Sequence, residues 1–174
     1  MIEVNHIMPR LAAAADGQGP RPFHPGAASR IPRGMVDKPR ILHIDDQEND
    51  RLLFKRAFQA SGLQADLISL PDAFEALILL DQAGTPSGGE LPYLIVLDLT
   101  LPQVDGRDFL TYLRTHPRYQ SIPLVVLTGS FRESDKHRCE ELQVDQYVVK
   151  PFTTTQLATL IPTFAHWLTR ADLP

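Results

Sequence analysis

The sequence predicts an α/β domain: a five-stranded parallel sheet wound on both faces by helices. Three observations predict it. Short apolar runs recur without strict alternation, among them Arg40-Ile-Leu-His-Ile44, Tyr93-Leu-Ile-Val-Leu97, Pro123-Leu-Val-Val-Leu127 and Tyr147-Val-Val149. Runs of this kind are strands buried on both faces, which is the habit of parallel sheets. Between them lie stretches with helical spacing, and from Arg40 onward strand and helix alternate five times. That alternation implies βαβ units with right-handed crossovers.

The strands are expected at 41–45, 66–70, 93–98, 123–128 and 146–149, and the helices at about 48–61, 72–82, 105–115, 133–142 and 154–169. The first helix carries Leu53, Ala57 and Ala60 on one stripe, flanked by Phe54 and Phe58. The last carries Leu157, Leu160, Ile161, Phe164 and Leu168. Both follow the i, i+3, i+4, i+7 spacing of a core face. Pro162 falls inside the last helix and should kink it or remove a backbone bond. The Trp167 neighbourhood reads as core or interface. The fourth helix is polar from Glu133 to Glu141 except at Cys139. So polar a helix buries little and should be weakly held and mobile. Thr85-Pro-Ser-Gly-Gly-Glu-Leu-Pro92 is a turn-rich loop, longer than the usual ~4–6 residues. It precedes the third strand, at the end of the sheet away from the chemistry described below.

A chain of 174 residues suffices for one domain with a full core, and its 43% apolar and 22% charged residues are ordinary for a soluble protein. No apolar run approaches the ~18 residues of a membrane span, and the N-terminus lacks the pattern of a secretory signal. A cytoplasmic location is the expectation. The single Cys139 excludes an internal disulfide and a cysteine-based zinc site. The net charge of −4 is uneven: residues 1–36 carry four Arg against Glu3 and Asp16, a balance of +2, which leaves −6 on 37–174. An acidic main domain argues against nonspecific binding to nucleic acid. Residues 1–36 also hold five of the fifteen prolines and four of the ten glycines and show no structural period. They read as a disordered extension, with the domain at 37–174. Met35 is a candidate true start, which the intact mass of the native protein would test.

In an open parallel sheet, chemistry gathers at the carboxyl ends of the strands. Asp45 and Asp46 follow the first strand, Asp98 follows the third, Thr128 ends the fourth and Lys150 follows the fifth. Three carboxylates, a hydroxyl and an ammonium in one place describe a magnesium-assisted phosphoryl-transfer site. Adjacent Asp45 and Asp46 repel each other unless a cation binds, and magnesium takes oxygen ligands while keeping waters. Asp46 is also placed to cap the first helix. Asp98 is the candidate nucleophile, since a carboxylate can accept a phosphoryl group, and the Thr100 carbonyl is a further candidate ligand. Thr128 can donate to a phosphoryl oxygen. Lys150 can pair with Asp98 or with that oxygen, and Pro151 after it permits a cis peptide that would fix its aim. Tyr147 faces away from the 146/148 pair, toward the fourth helix or solvent. Asp105-Gly106 opens the third helix and reads as structural. His43, inside the first strand, reads as a packed core residue.

These residues resemble the receiver domains of two-component response regulators over about residues 40–169. Asp45-Asp46, Asp98, Thr128 and Lys150-Pro151-Phe152 match the family's acidic pair, phosphoacceptor, switch hydroxyl and Lys-Pro motif. Within the family the chain looks like the single-domain regulators paired with phytochrome photoreceptor kinases. The pointers are the loop before the third strand, Asp98-Leu-Thr-Leu-Pro, Asp105-Gly-Arg and Phe164-Ala-His-Trp-Leu168. The resemblance implies a flavodoxin-like strand order of 2-1-3-4-5. It also implies that a sensor histidine kinase transfers a phosphoryl group to Asp98 with magnesium bound. Thr128 and Tyr147 then act as switch residues, and the face of the fourth helix, fifth strand and fifth helix is remodelled. It implies kinase docking at Asn49, Asp50, Leu53 and Phe152, and a homodimer through that remodelled face. Thr100 departs from the Asn common at its position in the family, which puts the dephosphorylation rate in doubt. Pro162 is atypical and puts the dimer geometry in doubt. Residues 151–174 hold one helix and no room for a DNA-binding output, so signalling through protein contacts, further phosphotransfer or a phosphate-sink role is expected.

Two other readings stand beside this one. A haloacid-dehalogenase-type phosphatase needs a second acid two positions after the nucleophile, where this chain has Thr100. A phosphorylation-independent interaction module would keep the fold and leave the site silent.

Overall fold

The computed structural model describes residues 38–83, 90–150 and 153–169. Five strands, β1 (Arg40–Ile44), β2 (Asp66–Leu70), β3 (Leu94–Leu97), β4 (Leu124–Thr128) and β5 (Gln146–Val149), pair in parallel in the order β2-β1-β3-β4-β5. Helices α1 (Glu48–Ser61), α2 (Ala73–Gln82), α3 (Gly106–Thr115), α4 (Glu133–Glu141) and α5 (Thr154–Leu160) connect or follow them. A 3₁₀ turn (Ile161–Phe164) and a last short helix, α6 (Ala165–Leu168), complete the described chain.

Local chemistry sets the helix ends. α1 stops at Gly62, whose φ of 73° is the left-handed cap that glycine adopts without strain. Asp72 caps α2 by accepting from the Glu75 amide, and Asp105 caps α3 by accepting from the Arg107 amide. Asp105 therefore has the structural role expected of it. Thr153 and Gln156 form a capping box at the start of α5. Pro162 acts as expected, replacing α-helical bonding with the 3₁₀ turn between α5 and α6.

Alternating strand side chains divide the core in two. On one face Leu42, Ile44, Ile95 and Val126 pack against α2, α3 and Cys139 of α4. On the other, Ile41, Val96, Val125 and Leu127 pack against Phe54, Ala57 and Phe58 of α1 and Leu157, Ile161, Phe164 and Trp167 of the last helical segments. Trp167 belongs to this second core. The expected α1 stripe is rotated: Phe54, Ala57 and Phe58 are buried, Leu53 is intermediate and Ala60 is exposed. Two-sided burial holds for β3, β4 and all of β1 after Arg40, but β5 is only partly buried. The reason is position: β5 is an edge strand, with one neighbour instead of two. α4 buries only Asp135 and Cys139, so the expectation of a lightly packed helix agrees with its burial.

Candidate functional site

The sheet order reverses direction between β1 and β3, the kind of switch point where ligands bind in open α/β sheets. Ile44 pairs with Leu97 across it. Asp45 and Asp98 follow directly, and their backbones still belong to the ladder: the Asp45 amide donates to Leu70 O at 3.1 Å and the Asp98 amide to Ile44 O at 2.9 Å. On the other side Thr128 pairs with Val149, and the Lys150 amide donates to Thr128 O at 2.7 Å. Asp45, Asp98, Thr128 and Lys150 are thus each held by the last rung of a strand. The strands nonetheless end at Ile44 and Leu97, one residue short of the expected bounds at Asp45 and Asp98.

The carboxylates of Asp45, Asp46 and Asp98 each offer an oxygen, all within 4.8 Å of one another, and Asp45 and Asp98 are buried. Three hard oxygen donors at this spacing fit a divalent cation of the magnesium type. Asp98 Oδ1 accepts from the Thr100 amide at 3.0 Å, and its Oδ2 lies 2.7 Å from Lys150 Nζ. Asp45 Oδ1 accepts from the Gln47 amide at 2.9 Å, while its Oδ2 lies 2.8 Å from the same Lys150 nitrogen. Asp46 does not cap α1, as the sequence allowed. Gln47 occupies the cap position without a side-chain capping bond to the helix, and its side-chain Nε2 donates to Asp46 Oδ2 at 2.8 Å. The Asp46 carboxylate is therefore left on the cation side of the loop.

Burial pushes the Asp45 carboxyl up to about 6, against the opposing pull of Lys150 and the Gln47 amide, with Asp98 adding repulsion. Burial alone would depress Lys150, but its contacts with Asp45, Asp50 and Asp98 outweigh that and hold the ammonium above its ordinary range. His43 is buried and stacks on Phe54 with ring centroids 4.1 Å apart. Burial, helped by Lys150 and Arg51, drives it down to about 3, so it is a neutral packing residue at neutral pH. Burial pushes the Cys139 thiol up to about 11, which removes it as a nucleophile.

Thr128 is fully buried and its Oγ1 accepts from the Ser130 amide at 3.3 Å. Tyr147 turns toward α4, and its hydroxyl donates to Ser130 O at 2.8 Å. Thr100 is exposed. Asn49 is exposed on the first turn of α1, and Leu53 is half-buried one turn on. Pro151 and Phe152, expected to fix the lysine and to meet the kinase, lie outside the described residues.

Four features escaped the sequence reading. Asp50 turns inward to meet Lys150 Nζ at 2.8 Å. Arg51 Nη1 donates to the carbonyls of Asp45 and Asp46 at 2.7 and 2.9 Å, which shapes the acidic loop. Their place in the first turn of α1, beside the acidic pair, was the available signal. Arg107 grips the buried Asp135 of α4 with Nε at 2.7 Å and Nη2 at 2.6 Å, and the Ser130 hydroxyl donates to the same carboxylate. Gly106 packs against the loop that follows β3 so closely that a Cβ there would collide with the Asp98 carbonyl oxygen.

The response regulator receiver domain profile matches residues 41–162. Response regulator Rcp1 of Synechocystis sp. is 34% identical over 135 residues, covering 77% of this chain and 92% of that protein. The solved structure of the Mn(2+)-bound form of Rcp1 superposes with a TM-score of 0.67 and 34% identity, over 78% of this chain and 99% of that one. The phosphorylated cyanobacterial phytochrome response regulator RcpA gives a TM-score of 0.68 and 32% identity, over 78% and 98%. None of the described helices is long and apolar enough to cross a membrane. Profile, relatives and strand order agree, and the chain belongs to the response regulator receiver domain family, as a homologue of the phytochrome-associated regulators.

Proposed function

We propose that this protein is the phosphoacceptor of a two-component relay, with Asp98 receiving a phosphoryl group from a phosphohistidine on a sensor kinase of the phytochrome type. The observation that carries the reading is the convergence of Asp45, Asp46 and Asp98 within 4.8 Å, with Lys150 Nζ 2.7 Å from the acceptor carboxylate. A carboxylate oxygen of Asp98 forms the new bond to phosphorus. The P–N bond breaks and its electron pair leaves with the imidazole. Lys150 offsets charge on the phosphoryl oxygens. Asp45, Asp46, Asp98 and the Thr100 carbonyl would hold magnesium, which would supply charge compensation for the phosphoryl oxygens. The same residues catalyse no chemistry beyond the protein's own phosphotransfer and dephosphorylation.

In this reading Thr128 moves its hydroxyl onto the phosphoryl group, Tyr147 releases Ser130 O and turns inward, and α4 shifts with the loop between them. The kinase docks on Asn49, Asp50, Leu53 and Phe152. The receiver spans 37–174, with 1–36 as an extension, and works in the cytoplasm. Two copies pair through the α4-β5-α5 face; a monomer in sedimentation at high concentration, with and without a phosphate mimic, would end that part. The central test is intact mass after treatment with acetyl phosphate and magnesium. A phosphate adduct on the wild type and none on Asp98→Asn is the expected result. Folded wild type with no adduct and no fluoroberyllate binding would refute the reading.

A further inference from the structure

Lys150 is engaged by one carboxylate more than this chemistry requires. Its Nζ lies 2.8 Å from Asp45, 2.7 Å from Asp98 and 2.8 Å from Asp50. The first two follow strands, at the floor of the site. Asp50 reaches in from the first turn of α1, with its side chain 38% exposed. Two contacts through one shared nitrogen put the Asp50 and Asp98 oxygens no more than about 5.5 Å apart. The Lys150 side chain is only 15% exposed, which favours exchange of its ammonium among these partners over exchange with water. A water-sized cavity of about 20 Å³, lined by His43, Asp45, Asp50, Phe54 and Lys150, leaves room beside it for a shift.

We propose that Asp50 is a positioning residue for phosphoryl binding: its carboxylate competes with the incoming phosphoryl group for the Lys150 ammonium and thereby sets how tightly the acceptor holds that group. The inference rests on the receiver reading and deepens it. A phosphoryl group on Asp98 brings negative charge to an ammonium already shared by three carboxylates. It gains the full benefit of Lys150 only as Asp50 gives the cation up. Asp50 also repels the anion directly. One unit charge at this separation, in a partly solvated site, changes anion affinity on the order of tenfold. The same charge has the opposite sign for magnesium, which it attracts. Removing it must therefore move the two affinities in opposite directions, something a merely structural role in α1 would not do.

The test titrates fluoroberyllate, at saturating magnesium, into wild type, Asp50→Asn, Asp50→Ala and the charge-preserving Asp50→Glu by calorimetry. Magnesium alone is titrated in parallel, and circular dichroism checks the fold. No kinase is present, so a docking role for Asp50 does not enter. The expected result is fluoroberyllate binding about tenfold tighter in Asp50→Asn and Asp50→Ala, magnesium binding weaker by a few-fold in both, and Asp50→Glu close to wild type. Unchanged or weaker fluoroberyllate binding in the folded neutral variants, with wild type binding normally, overturns the role of Asp50 alone. Wild type that binds no fluoroberyllate at all overturns the receiver reading and this inference with it.

Discussion

Replacing Asp135 with Asn removes the negative half of the contact that holds α4. Asp135 is only 5% exposed and meets Arg107 through two nitrogens at 2.7 and 2.6 Å. The Arg107 guanidinium, helped by the Ser130 hydroxyl, holds its carboxyl at about 2, down from 3.8. That depression is worth about 2 kcal/mol of preference for the charged form. Arg107 is 30% exposed, and solvent on that side trims the expected loss in Asp135→Asn to about 1–2 kcal/mol at pH 7. The pH dependence has a definite sign. A carboxyl whose folded value is depressed stabilises fully above its unfolded value, near 4, and loses that contribution as pH falls through about 2. Roughly half should be gone by pH 3. The assay is urea unfolding of wild type and Asp135→Asn at pH 7 and pH 3, with hydrogen exchange on the α4 amides at pH 7. The stability gap should shrink by about half at pH 3, and α4 should exchange faster in the variant. A gap equally large at both pH values would show that the charge is not what holds the helix. A gap below about 0.5 kcal/mol at pH 7 would reduce the clamp to an ordinary surface pair.

Three further outcomes are expected. Gly106→Ala places a Cβ against backbone atoms at 2.3, 2.6 and 2.8 Å; it should cost about 1–3 kcal/mol in urea unfolding and weaken magnesium binding, because the displaced atoms belong to Asp98 and Leu99. Magnesium at about a hundred times its Kd should add about 2.7 kcal/mol and raise the thermal midpoint by several degrees. Asp46→Asn should lose most of that rise while gaining stability in the metal-free protein, and an equal rise in both proteins would remove Asp46 from the cation site. Tyr147→Phe deletes the hydrogen bond to Ser130 O and should cost about 1 kcal/mol; a change of less than a few tenths would mean that water replaces the bond at no cost.

The groups along the sheet edge were legible because each depends on chain position alone. An Asp that follows a buried parallel strand must emerge at its carboxyl end, so Asp45, Asp98 and Lys150 could be placed from strand boundaries. The helix cover on both faces follows from the same alternation, whereas the strand order came only from the family resemblance. What could not be read depended on helix phase and on contacts between distant segments. The α1 stripe was misjudged because several apolar residues, among them Leu53, Phe54, Ala57, Phe58 and Ala60, fit overlapping faces, and only packing against the last helix chooses Phe54 and Phe58. The inward turn of Asp50 depends on that same phase. The Arg107–Asp135 pair joins residues 28 positions apart, and no periodicity reports it. Asp135 looked like one more polar residue on a polar helix. The burial of β5 was overestimated because its apolar run matches those of the central strands, and a run does not record how many neighbours its strand will have.

The two cores and the clamp together explain why α4 is the element suited to move. The central strands bury every side chain but Arg40, and α1, α2 and α3 each bury several apolar groups against them. Shifting any of these helices would open apolar surface costing about 25 cal/mol per Å². α4 buries Cys139 as its one apolar group and relies on Arg107, Ser130 and backbone caps for the rest. Its hold is thus mostly a polar contact of about 1–2 kcal/mol, which can be exchanged for water or for a new partner at modest cost. Moving a two-state element from 1:99 to 99:1 takes about 5.5 kcal/mol of differential binding. A phosphoryl group that drew Thr128 toward Asp98 would pull on Ser130, which carries the Asp135 hydrogen bond on its side chain and the Tyr147 bond on its carbonyl. Thr128, the clamp and Tyr147 therefore meet at one serine. A displacement there loosens several modest contacts together, with only Cys139 of the apolar core to reseal, so the requirement lies within reach of a single phosphoryl group.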